Sequence, residues 1–466
     1  MIAGPLLLLG LLLVGAVAVY ALRRVESLAA LIAAGLSALL AIALWKLPLD
    51  APAILAGRPV DMGRAFVSGG ASLQITAASQ AVLVFLFAMA SATFILAWKT
   101  FQGRTFYPFG LLLLALWSIV VVLQPLTLTP YAVVLASVLS VFVIQAGRPG
   151  DTQGAWRQLL FPTLAVPFFT IAVWYISQAA LNPDDQMPLR TAAWLLIGGF
   201  VLLLQPAPLH VALPAVARQA PPVVAAFLWA GGQAVTLYLL QRFLVTYPWL
   251  SEVVDSARWL LWLGILTALV GGALTATQRR LGRLTGYAAL YDYGILIVAL
   301  GLRGTAGLPT AIWLLITRTI SLMTMATGAA ALRHYMASDS FDDLRGAASR
   351  LPGAAIALLA GGFGLAGLPL TPQLASRWAL LQLVSENDAR WAWLLIIGAL
   401  GVVIGVVRAG QACLGELRFA RVEREPVSLT AIALLLILAG IVLGLFPQLL
   451  TDPVASVILP LSVLEP

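Results

Sequence analysis

The sequence predicts an all-α polytopic membrane protein of about fourteen transmembrane helices, and three observations predict it. Apolar residues make up 61% of the chain while charged residues supply 10%, against about 25% in soluble domains. Runs of roughly 20 apolar residues recur along the chain, each long enough to cross about 30 Å of hydrocarbon as a helix. The basic residues fall between these runs and favour one side.

The runs are 4–22, 27–46, 75–98, 107–124, 129–147, 158–181, 191–206, 221–245, 256–277, 284–302, 308–336, 352–384, 391–412 and 427–449. The first is long enough to remain as a span, so no cleavable signal peptide is expected. The run 352–384 is too long for one simple crossing and holds Pro369 and Pro372, which reads as one discontinuous helix. With the N-terminus outside, one side receives 17 of the 27 lysines and arginines and the other receives 8. The richer side includes Arg148, Arg418 and Arg421, and the poorer side includes Arg303. This bias places both termini on the outer face of a bacterial cytoplasmic membrane.

Composition also excludes several classes. One cysteine, Cys413, rules out a disulfide framework or a cysteine-ligated cluster. His210 and His334 lie too far apart in sequence to suggest a histidine metal site. The net charge of +8 is explained by loop arginines that set orientation in lipid, so no nucleic-acid partner is expected. No nucleotide loop, carboxylate pair or nucleophile triad is present. The glycines of "GGFG" (361–364) permit close helix packing inside a span.

Two stretches share a physical design. "LLLQPAPLHVALP" (202–214) ends an apolar run with Pro206 and Pro208, and "LAGLPLTPQLASRW" (365–378) does so with Pro369 and Pro372. Proline removes a backbone donor and disrupts the preceding turn. Paired helix breaks in two halves of a membrane chain point to an ion or substrate path near the midplane, whereas a single proline kink need not.

Three longer stretches carry a resemblance. "ATQRRLGRLTGYAALYDYGILIVALG" (276–301) resembles a basic turn leading into a Gly-Tyr-Ser-Ser-x-x-His-x-Gly-Tyr pattern. "FDDLRGAASRLPGAAIALLAGGFGLAGLPLTPQLASRW" (341–378) is similar to an Asp-Leu-x-Gly entry and a Leu-Ala-Gly-Ile-Pro break before a lysine. "PAPLHVALPAVARQAPPVVAAFLWAGGQAV" (206–235) resembles a Pro-Phe-His-x-Trp-x-Pro element followed by Ala-Pro. In this order and spacing they resemble the antiporter-like membrane subunits of respiratory complex I and related complexes, most of all the N-type subunit, over roughly 100–425.

The resemblance implies two inverted five-helix repeats, each with a broken helix. They would divide the chain into 1–106 (N-terminal helices), 107–245 (first repeat), 256–412 (second repeat) and 413–466 (C-terminal helix and tail). It also implies partner membrane subunits, with lipid around them. Quinone and iron–sulfur clusters would sit in those partners and no cofactor on this chain. A glutamate–lysine pair and buried lysines would relay protons along a central axis.

The chemistry departs from that pattern. The two lysines, Lys46 and Lys99, lie at span ends. The family's first broken-helix lysine falls near Leu203, with Gln205 the nearest polar residue, and the next lysine becomes Gln233. The glutamate of 129–147 has only Ser137 and Ser140 in its place. The family histidine becomes Asp292, and the lysine after the second break becomes Arg377. A buried lysine releases its proton readily, but an arginine keeps its charge in essentially any protein setting.

A charge at mid-bilayer costs about 2.5–3.5 kcal/mol on insertion scales, so each needs a reason. Asp292, flanked by Tyr291 and Tyr293, is the only carboxylate inside these runs. Arg318 lies ten residues into 308–336, so an Asp292–Arg318 or Asp292–Arg377 ion pair is expected, with fixed pairing favoured over proton exchange. Gln205 and Gln233 can organise water, and His210 is read as a helix-end cap. Arg408 and Glu416 are read as marking the cytoplasmic interface.

These readings lead to a subunit of a complex-I-like NADH or ferredoxin:quinone oxidoreductase, not catalytic alone, whose own proton path is lost or altered. The alternatives are a cation/proton antiporter subunit, which needs more acidic sites, and a membrane anchor for a hydrogenase or CO2-hydrating complex.

Overall fold

The computed structural model describes residues 2–49, 51–55, 58–100, 102–146, 151–181, 185–302, 306–416 and 424–451. Arg148, Arg303, Arg418 and Arg421 of the charge bias lie outside the described residues, as does the tail from 452. The chain opens with α1 (Gly4–Ala21), α2 (Glu26–Lys46) and α3 (Ala77–Lys99). The next group is α4 (Phe106–Val122), α5 (Thr129–Gln145), α6 (Gln153–Leu181), α7 (Met187–Leu204), α8 (Ala212–Gln219) and α9 (Pro222–Thr246). A short α10 (Trp249–Val253) precedes α11 (Ser256–Thr277), α12 (Leu281–Leu300), α13 (Gly307–Tyr335), α14 (Pro352–Ala366), α15 (Leu374–Asn387), α16 (Ala389–Leu414) and α17 (Val427–Leu445). Among the described residues, 11 helices are long and apolar enough to cross a membrane, and α4 and α14 are shorter apolar helices.

The helical class holds, with one correction: the chain is not purely helical. Among the described residues, six short strands form two small sheets, β1 (Ile2–Ala3), β2 (Ala53–Leu55) and β3 (Arg58–Asp61) in the order β1-β3-β2, and β4 (Phe66–Ser68), β5 (Ala71–Leu73) and β6 (Leu123–Gln124) in the order β4-β5-β6. The β4–β5 hairpin closes on Gly69 and Gly70, at φ +56° and +81°. Two positive φ values in a two-residue loop are what a type I′ turn requires, and glycine adopts them without a side-chain clash.

Burial grades inward. The most apolar window of α9 is 83% buried and that of α13 is 61%, whereas that of α17 is 17%. Hence α9 and α13 form the interior and α17 lies at the rim. Exposed Trp45, Trp156 and Trp393 sit near helix ends, the usual place for aromatic rings at a membrane interface.

Both proline stretches are breaks. Gln205 closes α7 in a left-handed conformation (φ +50°), and the freed Ala207 N–H donates to Thr267 Oγ1 of α11 at 3.0 Å. In the second, α14 ends at Gly367 (φ +79°), where Leu368 N–H donates to Phe363 O at 3.1 Å, and the chain re-enters helix at Leu374. A side chain at Gly367 would be strained and would press within 2.8 Å of Arg377 Cγ.

Arginines close other helix ends, where the last carbonyls lack helical partners and attract positive charge. Arg242 donates to Val121 O at 2.9 Å and Leu123 O at 3.1 Å at the end of α4. Arg333 donates to Ala220 O and Arg218 O at the end of α8. Arg408 donates to Ala276 O of α11, so it ties α16 to α11 as well as lying near a helix end. Glu425 Oε2 accepts from Gly353 N at the opposite, N-terminal end of α14, at 2.7 Å.

The α11–α16 pair packs backbone on backbone. A Cβ on Gly272 would lie 2.7 Å from Gly398 Cα, and one on Gly401 would run into Gly272 in turn. Small residues are what allow membrane helices to approach so closely. Gly272→Leu should therefore lower the unfolding temperature of the purified protein, with an overpacking cost of about 1–3 kcal/mol. Gly10→Leu, which meets nothing within 4 Å, should leave it unchanged.

Candidate functional site

Asp292 lies at the middle of α12, a helix buried on nearly every side, and is itself 2% exposed. Arg318 of α13 is fully buried and Arg377, on the first turn of α15, is 4% exposed. The fold brings all three together. Arg318 Nε lies 2.7 Å from Asp292 Oδ2, and Arg377 Nη2 donates to Asp292 Oδ1. Either pair was expected from the sequence, and the carboxylate makes both. The Arg318 contact is Coulombic rather than an aligned hydrogen bond, since neither Nε nor Oδ2 meets hydrogen-bond geometry.

The network extends to both sides. Arg318 Nη2 donates to Gln233 Oε1 of α9 at 2.5 Å. Arg377 Nη2 donates to Gln373 Oε1 at 2.7 Å and to Leu365 O at 2.8 Å. The Leu365 carbonyl belongs to the last turn of α14, left without a helical partner by the break. A helix break and a charge share one depth because the guanidinium satisfies the carbonyl that the break exposes. The Tyr293 ring lies 5.7 Å from Arg318 Cζ and the Tyr291 ring 5.3 Å from Arg377 Cζ, each offering a π face to a cation. Tyr291 Oη donates to Leu395 O, so its own hydroxyl is committed to α16.

The chain Gln233–Arg318–Asp292–Arg377–Gln373 thus crosses the interior from α9 to the second break. Its terminal amides do not ionise, and its guanidiniums hold their protons. Two cations and one carboxylate leave one positive charge in excess. Arg318 Nη1, Arg377 Nη1 and Gln373 Nε2 have no hydrogen-bond partner among the described residues.

On the first-half side, a cavity of about 80 Å³ reaches the Gln233 end of this chain. It is lined by Ser137, Ser140, Gln158, Gln205, Gln233 and Tyr293 among others. Ser137 and Ser140 spend their hydroxyl protons on their own helix, donating to Val133 O and Ser137 O. Gln205 stays apart from the charged cluster, inside this cavity. His210 also stays apart, its ring edge-on to Tyr287 at 6.1 Å. It is not the expected cap: Val211 is the N-cap of α8, with no side-chain hydrogen bond, and His210 Nδ1 is unpartnered among the described residues. Pro206 and Pro208 line the first break and Pro369 and Pro372 the second. Lys46 and Lys99 end α2 and α3, away from this chain of residues.

Sequence reasoning overlooked Gln373, Trp229 and Thr267. The Gln373–Arg377 pair was recognisable, since four residues apart on a helix is contact distance. Thr267 and Trp229 carried no such signal. Among the described residues no three of His, Cys, Asp and Glu gather closely enough to hold a metal ion.

Residues 163–405 match the family described as NADH:quinone oxidoreductase/Mrp antiporter, TM. The chain belongs to this family. A curated member, NADH-quinone oxidoreductase subunit N from Acidithiobacillus ferrooxidans, is 27% identical over 299 residues, which are 62% of this chain and 61% of the relative. The matched stretch spans about three fifths of the curated relatives' length. A chain of the membrane-bound sulfane sulfur reductase, an archaeal respiratory membrane complex, superposes with a TM-score of 0.82 at 16% identity, covering 97% of this chain and 96% of the other. A chain of respiratory complex I from Thermus thermophilus superposes at 0.75 with 20% identity, covering 99% of both. These two likenesses establish a shared fold along nearly the whole chain.

Proposed function

We propose that this chain is an antiporter-like membrane subunit of a redox-linked multisubunit complex, in which its own axis holds fixed charge instead of relaying protons. The observation that carries the reading is the clamping of Asp292 between Arg318 and Arg377. A relay needs side chains that give up and regain a proton in turn. Along this axis the neighbours of Asp292 are guanidiniums, and beyond them are amides that do not ionise. A buried positive centre also repels incoming protons, as cations in selective pores do.

In this reading the subunit joins other membrane subunits, which hold the quinone and the iron–sulfur clusters. Both of its termini face outward from a bacterial cytoplasmic membrane, and its rigid axis transmits strain or position. A cation/proton antiporter would need a carboxylate open to a cation, and both oxygens of Asp292 face guanidiniums.

The test is to purify the complex from its native membrane, identify the co-purifying chains and reconstitute it in vesicles. Protons moved per electron pair are then compared between wild type and Asp292→Asn/Arg318→Gln, a pair that keeps the charge balance. The expected ratio is unchanged. A lower ratio in a variant that retains all its subunits overturns the reading, and Asp292→Asn/Arg377→Gln repeats the measurement should the first fail to assemble. Recovery of the chain alone, active in vesicles, would favour the antiporter.

A further inference from the structure

We infer that the first-half cavity is a binding site for a small monovalent anion of halide size, placed against the positive centre. Three independent features point there. The first is charge: the centre holds two guanidiniums and one carboxylate, and no acidic residue lines the cavity beside it. One negative charge in this cavity would balance the interior.

The second is donor chemistry. Trp229 lines the cavity, is 4% exposed, and its Nε1–H has no hydrogen-bond partner among the described residues. An indole N–H only donates, so whatever satisfies it must accept. Gln233 commits its Oε1 to Arg318, which leaves its Nε2 as the group it offers to the cavity. A guanidinium bonded to the oxygen polarises the amide and strengthens its N–H as a donor. Tyr293 adds a phenolic hydroxyl on the same wall.

The third is the backbone at Gln205. This residue lines the cavity while holding φ +50°, a conformation glycine adopts more easily. Its side chain adds an amide to the residues that line the cavity. The volume fits the ligand: about 80 Å³ is several times the 10–15 Å³ that one water needs by the same measure, enough for a halide with part of its hydration. The inference does not depend on whether the complex pumps.

Bromide is the probe. The assembled complex is prepared in sodium gluconate and titrated with sodium bromide at constant ionic strength, following its unfolding temperature. Wild type should show a saturable rise that sodium sulfate does not reproduce. Trp229→Phe keeps the ring and removes the donor, so it should weaken apparent bromide affinity at least about tenfold, since it deletes a hydrogen bond to a charged group. Gln205→Leu should weaken it as well, and an anomalous bromide peak should appear within hydrogen-bond distance of Trp229 Nε1. A rise that never saturates, the absence of a rise, or identical affinity in both variants and wild type overturns the inference.

Discussion

Asp292→Asn should be the most damaging single substitution in the interior, costing about 3–5 kcal/mol and lowering the recovery of assembled complex. The carboxylate is 2% exposed and is the one negative charge between two buried guanidiniums. An amide of the same size keeps the packing but removes the counter-charge. Two cations are then left facing each other in a low-dielectric interior, where Coulomb energy is many times its value in water. The measurement is the unfolding temperature of the purified complex, with retention of this subunit on a sizing column as the second readout. A shift no larger than that of a surface substitution would show that the cluster is hydrated and screened.

Arg318→Met should be milder, about 1–3 kcal/mol, although it deletes the largest fully buried side chain of the described residues. Chemical intuition suggests the reverse, since the substitution removes an ion-pair contact and the hydrogen bond to Gln233. What remains is one carboxylate with one guanidinium, Asp292 with Arg377, a balanced pair that keeps its contacts to Gln373 and Leu365. The penalty is then the loss of packing and of one amide's partner, not an orphaned charge. The order of the two effects carries the argument: if Arg318→Met proves worse than Asp292→Asn in the same preparation, the charge account of this centre is wrong.

Much of this was legible in particular residues. Pro206, Pro208, Pro369 and Pro372 announced the two breaks, because a residue without a backbone donor disrupts a helix wherever it stands. Asp292 drew notice as the lone carboxylate in an apolar run, and charge alone indicated an arginine partner. Gln373 escaped notice despite its helical spacing from Arg377. The glycine pair at 69–70 was an equally plain hairpin signal, overlooked because the segment around it is short beside the long apolar runs. His210 misled for a different reason. Its position after a break suggested capping, but the chain continues for one more residue before α8 begins.

The joining of Gln233 to Arg318, 85 residues apart, belongs to another level. So do the reach of Arg242 back to the end of α4 and the seat of Ala207 N–H on Thr267. No period or motif encodes them, since each depends on which helix lies beside which and at what rotation.

By itself the sequence determined the membrane setting, the positions of both breaks and the protonation chemistry available, because transfer of apolar residues from water, proline's missing donor and the basicity of guanidinium are local properties. Only the tertiary structure decided that one carboxylate serves two arginines, that the assembly ends in amides, and that a donor-lined cavity adjoins it. Those outcomes depend on distance and dielectric between helices far apart in the chain, and Coulomb and hydrogen-bond energies are set by that separation.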